Sequence, residues 1–388
     1  MKIVFKLAVA AFVLILLTGC NIPRINAQER LFPELSLEFL GEYQLPKQTF
    51  QDTPVGGLSA LTYNPESKRF YILSDDRSNL APARFYTLNI PFQENATGDI
   101  NFGEVTIEGV TFLKDSQGNN YPPGNIDPEG IAFSPQGNIF ISSEGLPSQN
   151  IVPFIGEFEL KTGQKLRDLR LPQRYLPPEE EGEKDIPRGV RENLGLEALT
   201  LNPLSAAVPK ADPFRLFSAF EFALQQDYDP DLEEEARDIP VRFMHYLFNP
   251  VGPPIFVAEH LYYLDATPIG TLINGLTELV AIEPEGYFLS LERTYGLIGA
   301  GAKIYQVALG TATDTTLIDS FQDDLKGVVP LKKKLLLDLK DLEIYLDNFE
   351  GMVLGPLLPD GSKSLLLISD DNFSEEQITQ FLLFRLKD

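Results

Sequence analysis

Acidic residues occupy two repeated positions along this sequence. At the first position, an acidic or small residue begins a short apolar run that reaches a proline six residues later. At the second position, an acid closes the apolar run that follows. The nine acidic members are Asp75, Glu129, Glu144, Glu197, Glu221, Glu278, Glu292, Glu350 and Asp370. Carboxylates brought close together cannot all stay ionised without compensation, so some must bind protons, pair with cations or coordinate a metal.

Calcium binding is the chemistry that this set favours. The ligands are hard oxygens, and the single cysteine and two histidines of the chain form no zinc-type cluster. We therefore predict that the nine acids are Ca²⁺ ligands. Four of them at the first position are also predicted to be catalytic: Glu129, Glu197, Glu278 and Glu350. The alternative is that these carboxylates only hydrogen-bond neighbouring units of the repeat.

Basic residues lie near the same ends of the repeats. Four are predicted to bind the substrate, because a guanidinium or ammonium group suits a phosphate or carboxylate oxyanion: Arg77, Arg191, Arg293 and Lys303. Arg293 and Lys303 would also orient the anion during catalysis. The alternative for each is pairing with the acids.

Other catalytic templates are weak. Ser59 is the one hydroxyl residue at the repeated positions and therefore a possible nucleophile, although its surroundings lack the last glycine of a GxSxG nucleophile elbow. His245 and His260 fall in predicted strands away from the acidic positions, so we interpret them as packed or surface residues.

Short hairpins must position these residues. The first runs of the repeat cover residues 59–65, 129–135, 197–203, 278–284 and 350–356, and the second runs cover 70–76, 139–144, 215–221, 287–292 and 365–371. Such runs, separated by Pro, Gly and Asn turns, predict strands rather than helices. The start of the first strand and the end of the second lie at the same end of a hairpin. The repeated positions should therefore share one rim.

Further strands follow in most repeats, for example 84–90 with 104–112, 155–160 with 166–171, and 241–248 with 255–264. Four strands per repeat predict an all-β fold, a β-propeller of four-stranded antiparallel blades. We expect five blades, with six left open by residues 332–339. The last repeat supplies three strands, ending at 380–386, and residues 35–45 are expected to supply the fourth and close the ring.

The amino terminus has the form of a lipoprotein signal. Lys2 and Lys6 precede an apolar run over residues 7–17, and the segment Leu17-Thr18-Gly19-Cys20 resembles a bacterial lipobox. We expect residues 1–19 to be a signal peptide, 20–34 a tether acylated at Cys20, and 35–388 a single propeller domain. The protein would be exported and lipid-anchored in the bacterial cell envelope, at the outer membrane or on the periplasmic side. An ordinary secretory signal is the alternative.

Charge limits the partners. With 32 basic and 56 acidic residues the net charge is −24, which repels nucleic acid and anionic lipid headgroups. We expect no nucleic-acid partner, and membrane contact through the lipid anchor only. Two Pro- and Glu-rich segments, 177–191 and 225–240, are predicted to be solvated loops or to cover one face of the ring. The oligomeric state stays open.

Five runs of residues resemble a known family. They are Asp127-Pro128-Glu129-Gly130-Ile131-Ala132, Ser143-Glu144-Gly145, residues 188–197, Leu291-Glu292-Arg293 and Asn348-Phe349-Glu350-Gly351-Met352. They are similar to signatures of the bacterial "esterase-like activity of phytase" family over roughly residues 40–388. The resemblance implies a propeller with an ester-hydrolysing role. It also implies a distant likeness to calcium-dependent propeller phytases, whose acidic channel-mouth residues hold metals.

Three functions follow from these observations. The first is a Ca²⁺-dependent hydrolase of a small phosphate or other anionic ester at the channel mouth. The second is a non-catalytic calcium-binding propeller that serves as a cell-envelope binding module. The third is a sugar- or lactone-processing propeller, because a fold alone does not determine a reaction.

Overall fold

The structure is a computed structural model that describes residues 31–178, 187–202, 212–228, 238–249, 251–297 and 299–388. The chain divides into two units, Met1–Glu34 and Leu35–Asp388. Only residues 31–34 of the first unit are described, and the fold below is that of the second. Within the described residues, no helix is long and apolar enough to cross a membrane.

Nearly all regular structure is β-strand. The described residues form 24 strands, in chain order: β1 (Ser36–Leu45), β2 (Gln48–Phe50), β3 (Thr53–Val55), β4 (Leu58–Asn64), β5 (Arg69–Ser74), β6 (Arg84–Asn89), β7 (Phe92–Glu94), β8 (Ile100–Phe102), β9 (Thr106–Phe112), β10 (Pro128–Phe133), β11 (Ile139–Ser143), β12 (Phe154–Phe158), β13 (Lys165–Asp168), β14 (Leu196–Leu201), β15 (Phe214–Phe220), β16 (Ile239–Phe248), β17 (Ile255–Leu264), β18 (Thr271–Ile282), β19 (Tyr287–Gly296), β20 (Gly299–Ala308), β21 (Lys332–Asp338), β22 (Asn348–Leu354), β23 (Lys363–Asp370) and β24 (Thr379–Lys387).

Twenty of these strands form five antiparallel blades. Blade 1 is β4-β5-β6-β9, blade 2 is β10 to β13, blade 3 is β14 to β17, blade 4 is β18 to β21, and blade 5 is β22-β23-β24-β1. The first strands contact one another in turn, β4 with β10, β10 with β14, β14 with β18, β18 with β22, and β22 with β4. The protein is therefore a five-bladed β-propeller with these strands around its channel, which confirms the predicted fold.

The six-blade alternative is wrong. Residues 332–338 form β21, the fourth strand of blade 4, with Lys303 opposite Asp338. The connection before β21 is long because it also covers the outer edge of blade 3, where the Thr315 N–H donates to the Glu259 carbonyl and the Leu331 N–H to the Leu261 carbonyl.

The channel strands are buried on both faces, which explains their nearly continuous apolar sequence. All six residues of β10 are buried. Side chains join these strands between blades: the Phe133 N–H donates to Thr62 Oγ1 (3.0 Å), and the Ala281 N–H donates to Thr200 Oγ1 (3.2 Å). Backbone groups that face the channel are thereby paired without a continuous ladder between blades.

The ring closes as expected through the amino-terminal strand. β1 pairs antiparallel with β24 from Ser36 opposite Lys387 to Leu45 opposite Thr379, with one bulge near Gly41. Arg385 fixes this register with an ion pair to Glu38 (2.5 Å). Closure leaves blade 5 without an open edge beside β24.

Blade 4 is longer than the others at one end. Its first strand, β18, has 12 residues, whereas β10 and β14 have six each. The extra length pairs with the end of β19, Thr271 opposite Gly296 and Ile273 opposite Tyr295. We call residues 271–275 and 293–296 the flap.

Candidate functional site

A cavity of about 820 Å³ opens at one end of the channel. Six of the nine predicted acids line it: Asp75, Glu129, Glu144, Glu197, Glu221 and Glu350. A seventh, Asp370, lies beside them. Burial, followed by the charges of Glu350 and Asp75, raises the pKa of Asp370 well above its usual range. The hairpin geometry thus brings seven of the predicted residues to one mouth.

A β-bulge aims the side chains of the first position into the mouth. In every blade the register of the first two strands shifts at this point: between Leu58 and Ala60, Pro128 and Ile131, Leu196 and Ala198, Leu276 and Glu278, and Phe349 and Gly351. A bulged residue leaves the ladder and turns its side chain away from the pleat. The residues at or beside the bulge are Ser59, Glu129, Glu197, Thr277 and Glu350.

Blade 4 departs from the predicted alignment by one residue. In the other blades the residue opposite the last paired residue before the bulge is Ser74, Ser143, Phe220 or Ser369, and the acid follows it. In blade 4, Leu276 lies opposite Glu292 itself. Thr277 and Arg293 therefore take the places predicted for Glu278 and Glu292.

Glu278 and Glu292 consequently lie outside the mouth cavity. The Glu278 carboxylate accepts hydrogen bonds from the Leu279 N–H (2.9 Å) and the Leu199 N–H (3.3 Å) of blade 3. Glu292 accepts from the Tyr262 hydroxyl (2.5 Å) and pairs with Lys333 (2.5 Å). Glu278 therefore hydrogen-bonds the neighbouring blade, as in the alternative given for these carboxylates from the sequence.

Arg293 lies inside the acidic ring. Its guanidinium contacts Glu221 Oε1 (2.9 Å), Glu350 Oε1 (3.0 Å) and Asn348 Oδ1 (2.7 Å), so it connects blades 3, 4 and 5. Burial raises the pKa of Glu221 to about 6, and Arg293 opposes that rise. Burial also raises the pKa of Glu350, again against the effect of Arg293. One arginine thus balances the acids on this side of the mouth.

The opposite side holds a candidate metal centre at the junction of blades 1 and 2. Asp75, Asp127 and Glu129 each offer a carboxylate oxygen within 4.8 Å of the others. Burial, then the charges of Asp127 and Glu350, raises the pKa of Asp75 to about 8. Burial, then the charges of Asp75 and Glu197, raises the pKa of Glu129 well above its usual range. The group favours protons or a cation.

Asp127 is a functional candidate that the repeat did not single out. It is fully buried just before β10, and Arg77 Nε donates to its Oδ1 at 2.6 Å. Among the described residues its Oδ2 has no hydrogen-bond partner. The signal in the sequence was its place two residues before Glu129, inside the run that resembles the family.

Two further acids differ in their partners. Glu144 accepts a hydrogen bond from the Gly195 N–H (2.7 Å). Glu197 Oε2 is buried and has no hydrogen-bond partner in the part of the chain that the structure describes. Burial, then the charges of Glu221 and Glu144, raises the pKa of Glu197 well above its usual range.

The other predicted basic residues lie in different settings. Arg77 lines the cavity, with its side chain 30% exposed. Arg191 instead donates to the carbonyls of Ala223 (3.0 Å) and Tyr228 (2.5 Å) and so holds the loop after β15. Lys303 lies outside the mouth cavity, on β20, 3.5 Å from Asp265.

Ser59 and the histidines are engaged in packing. Ser59 is buried, and its Oγ donates to the Glu129 carbonyl across the junction of blades 1 and 2 (3.3 Å). His245 and His260 pack against each other in blade 3, with ring centroids 5.9 Å apart. Burial, then His260, lowers the pKa of His245 to about 4.

An apolar wall of the cavity was not predicted from the sequence. Leu272, Ile273 and Tyr295 of the flap line the cavity, together with Phe222 from the loop after β15. The sequence of the flap is typical of an ordinary strand, and the extra length of blade 4 is what brings Leu272, Ile273 and Tyr295 to the mouth.

Some predictions fall on residues outside the described part. These include Cys20, the signal peptide and most of the tether. Residues 179–186 and 229–237, within the two predicted loops, are also outside it.

Comparison with known proteins gives one family. The model of a phytase-like family, described as esterase-like activity of phytase, matches residues 53–373. No curated protein matches the sequence. Similar solved structures include an endo-arabinase from Bacteroides thetaiotaomicron VPI-5482, with 11% identity over 88% of this chain and 98% of that chain and a TM-score of 0.42. Kuenenia stuttgartiensis hydrazine synthase has 10% identity over 84% of this chain and 82% of that chain, with a TM-score of 0.36.

Proposed function

The chain belongs to the phytase-like family described as esterase-like activity of phytase, and from this premise we propose that it is a Ca²⁺-dependent hydrolase of anionic esters acting at the acidic channel mouth. The cluster of Asp75, Asp127 and Glu129 is the observation that carries the proposal. Its three carboxylates converge within 4.8 Å from two neighbouring blades.

The donors of this cluster fit a calcium ion. All three are hard carboxylate oxygens, the ligands that Ca²⁺ prefers. Oδ2 of Asp127 is buried and, among the described residues, lacks a hydrogen-bond partner, so its lone pairs are free for a ligand. The raised pKa values of Asp75 and Glu129 reflect burial and mutual repulsion, which a cation would relieve.

Each part of the mouth has a distinct task in this proposal. A bound Ca²⁺ would supply the positive charge that polarises a phosphoryl or carbonyl oxygen and makes water more acidic. Arg77 presents a partly exposed positive charge to the anionic group. Burial raises the pKa of Glu197 well above its usual range, which suits this carboxyl group to give a proton to the leaving alcohol. Arg293 keeps Glu221 and Glu350 in place.

The charge balance of the mouth implies an order of binding. Nine acidic residues, the seven predicted acids with Asp127 and Glu192, stand against the two arginines, Arg77 and Arg293, so the mouth repels an anion until a cation or protons reduce its charge. Anionic esters should therefore bind only after Ca²⁺.

Calorimetry on Asp127→Asn, with Glu66→Gln as matched control, tests the proposal. Glu66 is an exposed carboxylate in the turn after β4. We expect saturable Ca²⁺ binding to the wild type, at least about tenfold weaker binding to Asp127→Asn, and no change in the control. In parallel, hydrolysis of para-nitrophenyl phosphate should require Ca²⁺ and stop with EDTA. Equal Ca²⁺ affinity of wild type and Asp127→Asn would contradict the proposed site.

A non-catalytic calcium-binding module is the second candidate. Carboxylates at the mouth already connect neighbouring blades. Glu144 of blade 2 accepts a hydrogen bond from the Gly195 N–H of blade 3. Arg293 of blade 4 pairs with Glu221 of blade 3 and Glu350 of blade 5. A cation at Asp127 could serve the same structural purpose between blades 1 and 2. Stabilisation by Ca²⁺ without cleavage of phosphate or carboxylate esters would favour this candidate.

A further inference from the structure

The flap places large apolar side chains in water beside the acidic mouth. The exposed fractions are 69% for Leu272, 38% for Ile273 and 38% for Tyr295. Single exposed apolar residues are ordinary on protein surfaces. These three are grouped, however, and all three line the mouth cavity. Grouped apolar exposure in a cavity indicates a binding surface.

The cavity has two unlike walls that face each other. In the ring, β18 of blade 4 contacts β14 and β22, and β4 contacts β10 and β22. In a ring of five, blade 4 therefore lies across the channel from the junction of blades 1 and 2. That junction holds Asp75, Asp127 and Glu129, whereas the flap presents Leu272, Ile273 and Tyr295. A molecule that fills the cavity meets the acidic junction at one end, and at the other the apolar side chains of the flap beside the acids that Arg293 already pairs.

We infer that the substrate is an anionic ester with an apolar alkyl or aryl group, which lies on Leu272, Ile273 and Tyr295 while the anionic group faces the junction of blades 1 and 2. This inference rests on the proposed function and narrows its substrate class. The flap then selects amphiphilic esters over small, uniformly charged phosphate esters, because apolar contact adds affinity only when a chain is present.

Affinity should therefore grow with chain length. Each methylene group that leaves water completely on binding lowers the dissociation constant of the ligand about fourfold. A chain with one side against the flap should gain about twofold per methylene, or about 30-fold from methylphosphonate to hexylphosphonate. Binding of these non-hydrolysable anions is measured by calorimetry with Ca²⁺ present. The matching readout of turnover compares the Michaelis constants for the para-nitrophenyl esters of methylphosphonate and hexylphosphonate.

The double variant Leu272→Ser/Ile273→Ser tests the flap, and Leu166→Ser is its matched control. Leu166 is 51% exposed on β13, the outer strand of blade 2, outside the residues that line the mouth. The double variant should retain its melting temperature and lose most of the chain-length effect, to less than about fivefold, while the control keeps about 30-fold. Retention of the full effect by the double variant, or absence of chain-length dependence or of hexylphosphonate binding in the wild type, would overturn the inference.

Two further outcomes distinguish this inference from the proposed hydrolase function and from a membrane-binding role of the flap. If hexylphosphonate binding depends on the flap as expected but no ester is cleaved, the inference on ligand class stands and the proposed hydrolase fails. Ile269 and Leu297, 99% and 84% exposed, lie next to the flap. If the double variant loses binding to phosphatidylcholine vesicles and keeps the chain-length effect, the flap is a membrane contact and the inference is wrong.

Discussion

When divalent cations have been removed, the free energy of unfolding should fall as the pH rises from about 5 to about 8. The cause is the set of carboxyl groups at the channel mouth whose pKa values are higher in the folded than in the unfolded protein. Such groups hold their protons more tightly when the chain is folded. Their stabilising contribution is complete below the unfolded pKa and is lost as the pH rises through the folded pKa.

Glu221 gives the magnitude. Burial raises its pKa from 4.5 to about 6, with Arg293 lowering it and Glu350 raising it. At about 1.4 kcal/mol for each unit of pKa difference, Glu221 alone accounts for about 2 kcal/mol. For a domain of this size, that corresponds to a fall of roughly 3 °C in melting temperature. Asp75, with a pKa raised to about 8, acts in the same direction and extends the window towards alkaline pH.

Calcium should reverse this behaviour, because a cation takes the place of the protons. At 100 times its dissociation constant it stabilises the folded state by about 2.7 kcal/mol. The gain should be larger at the alkaline end of the window, since ligand carboxylates must be deprotonated to bind. Mg²⁺ should stabilise less, because it requires a tighter octahedral site.

Scanning calorimetry across this pH range, in EDTA and in saturating CaCl₂, measures both effects. Glu221→Gln should flatten the slope in EDTA, whereas Glu66→Gln, at an exposed turn position, should leave it unchanged. A melting temperature that stays constant or rises with pH in EDTA would refute the charge argument. Equal Ca²⁺ stabilisation at both ends of the range would refute the competition between protons and cation.

Three other changes test the anchor, the closure and the packing. Cys20→Ser should release the protein from membranes or block its processing while the propeller still folds, as followed by fractionation; a membrane-bound, processed variant would contradict the lipoprotein prediction. Deletion of residues 35–45 should lower the melting temperature of the whole domain, because β24 loses its partner β1, and an unchanged temperature would contradict the role of β1. Gly130→Ala should cost about 1–3 kcal/mol, because its Cβ would collide with the Glu197 carbonyl and Ser142 Oγ. Gly310→Ala, with open space around the new methyl, is the neutral control, and equal stability of the two would contradict the tight blade contact.

The repeat of hairpins could be predicted because it is a local property of the sequence. Apolar runs separated by proline and glycine turns determine where strands start and stop, and the five hairpins appear where expected. The acids of blades 1, 2, 3 and 5 followed, since both ends of a hairpin return to one rim. Residues 332–338 show the limit, because a strand recognised locally does not reveal which blade it joins.

The register of blade 4 could not be predicted in this way. The distance from Glu278 to Pro284 matches the other repeats, but the bulge falls at Thr277. A shift of one residue moves each side chain to the opposite face of a strand. Arg293 therefore enters the ring, while Glu292 turns to Lys333.

The repeat also did not identify Asp127 as a site residue, for a related reason. The residues at the same distance before the other bulges are Gly57, Gly195, Gly275 and Asn348, so periodicity gives no carboxylate there. Its significance depends on Arg77 and Asp75 of the neighbouring blade, contacts that arise only when the ring is assembled.

The pairing of β1 with β24 has a consequence for the order of synthesis. Glu38 and Arg385, which meet across this pair, are 347 positions apart in the chain. The ribosome therefore releases β1 long before β24 exists, and β1 cannot form its native pairing until the end of synthesis. We expect the ring to close late, after synthesis of β24, so that chains cut short before β24 remain open and become substrates for proteases.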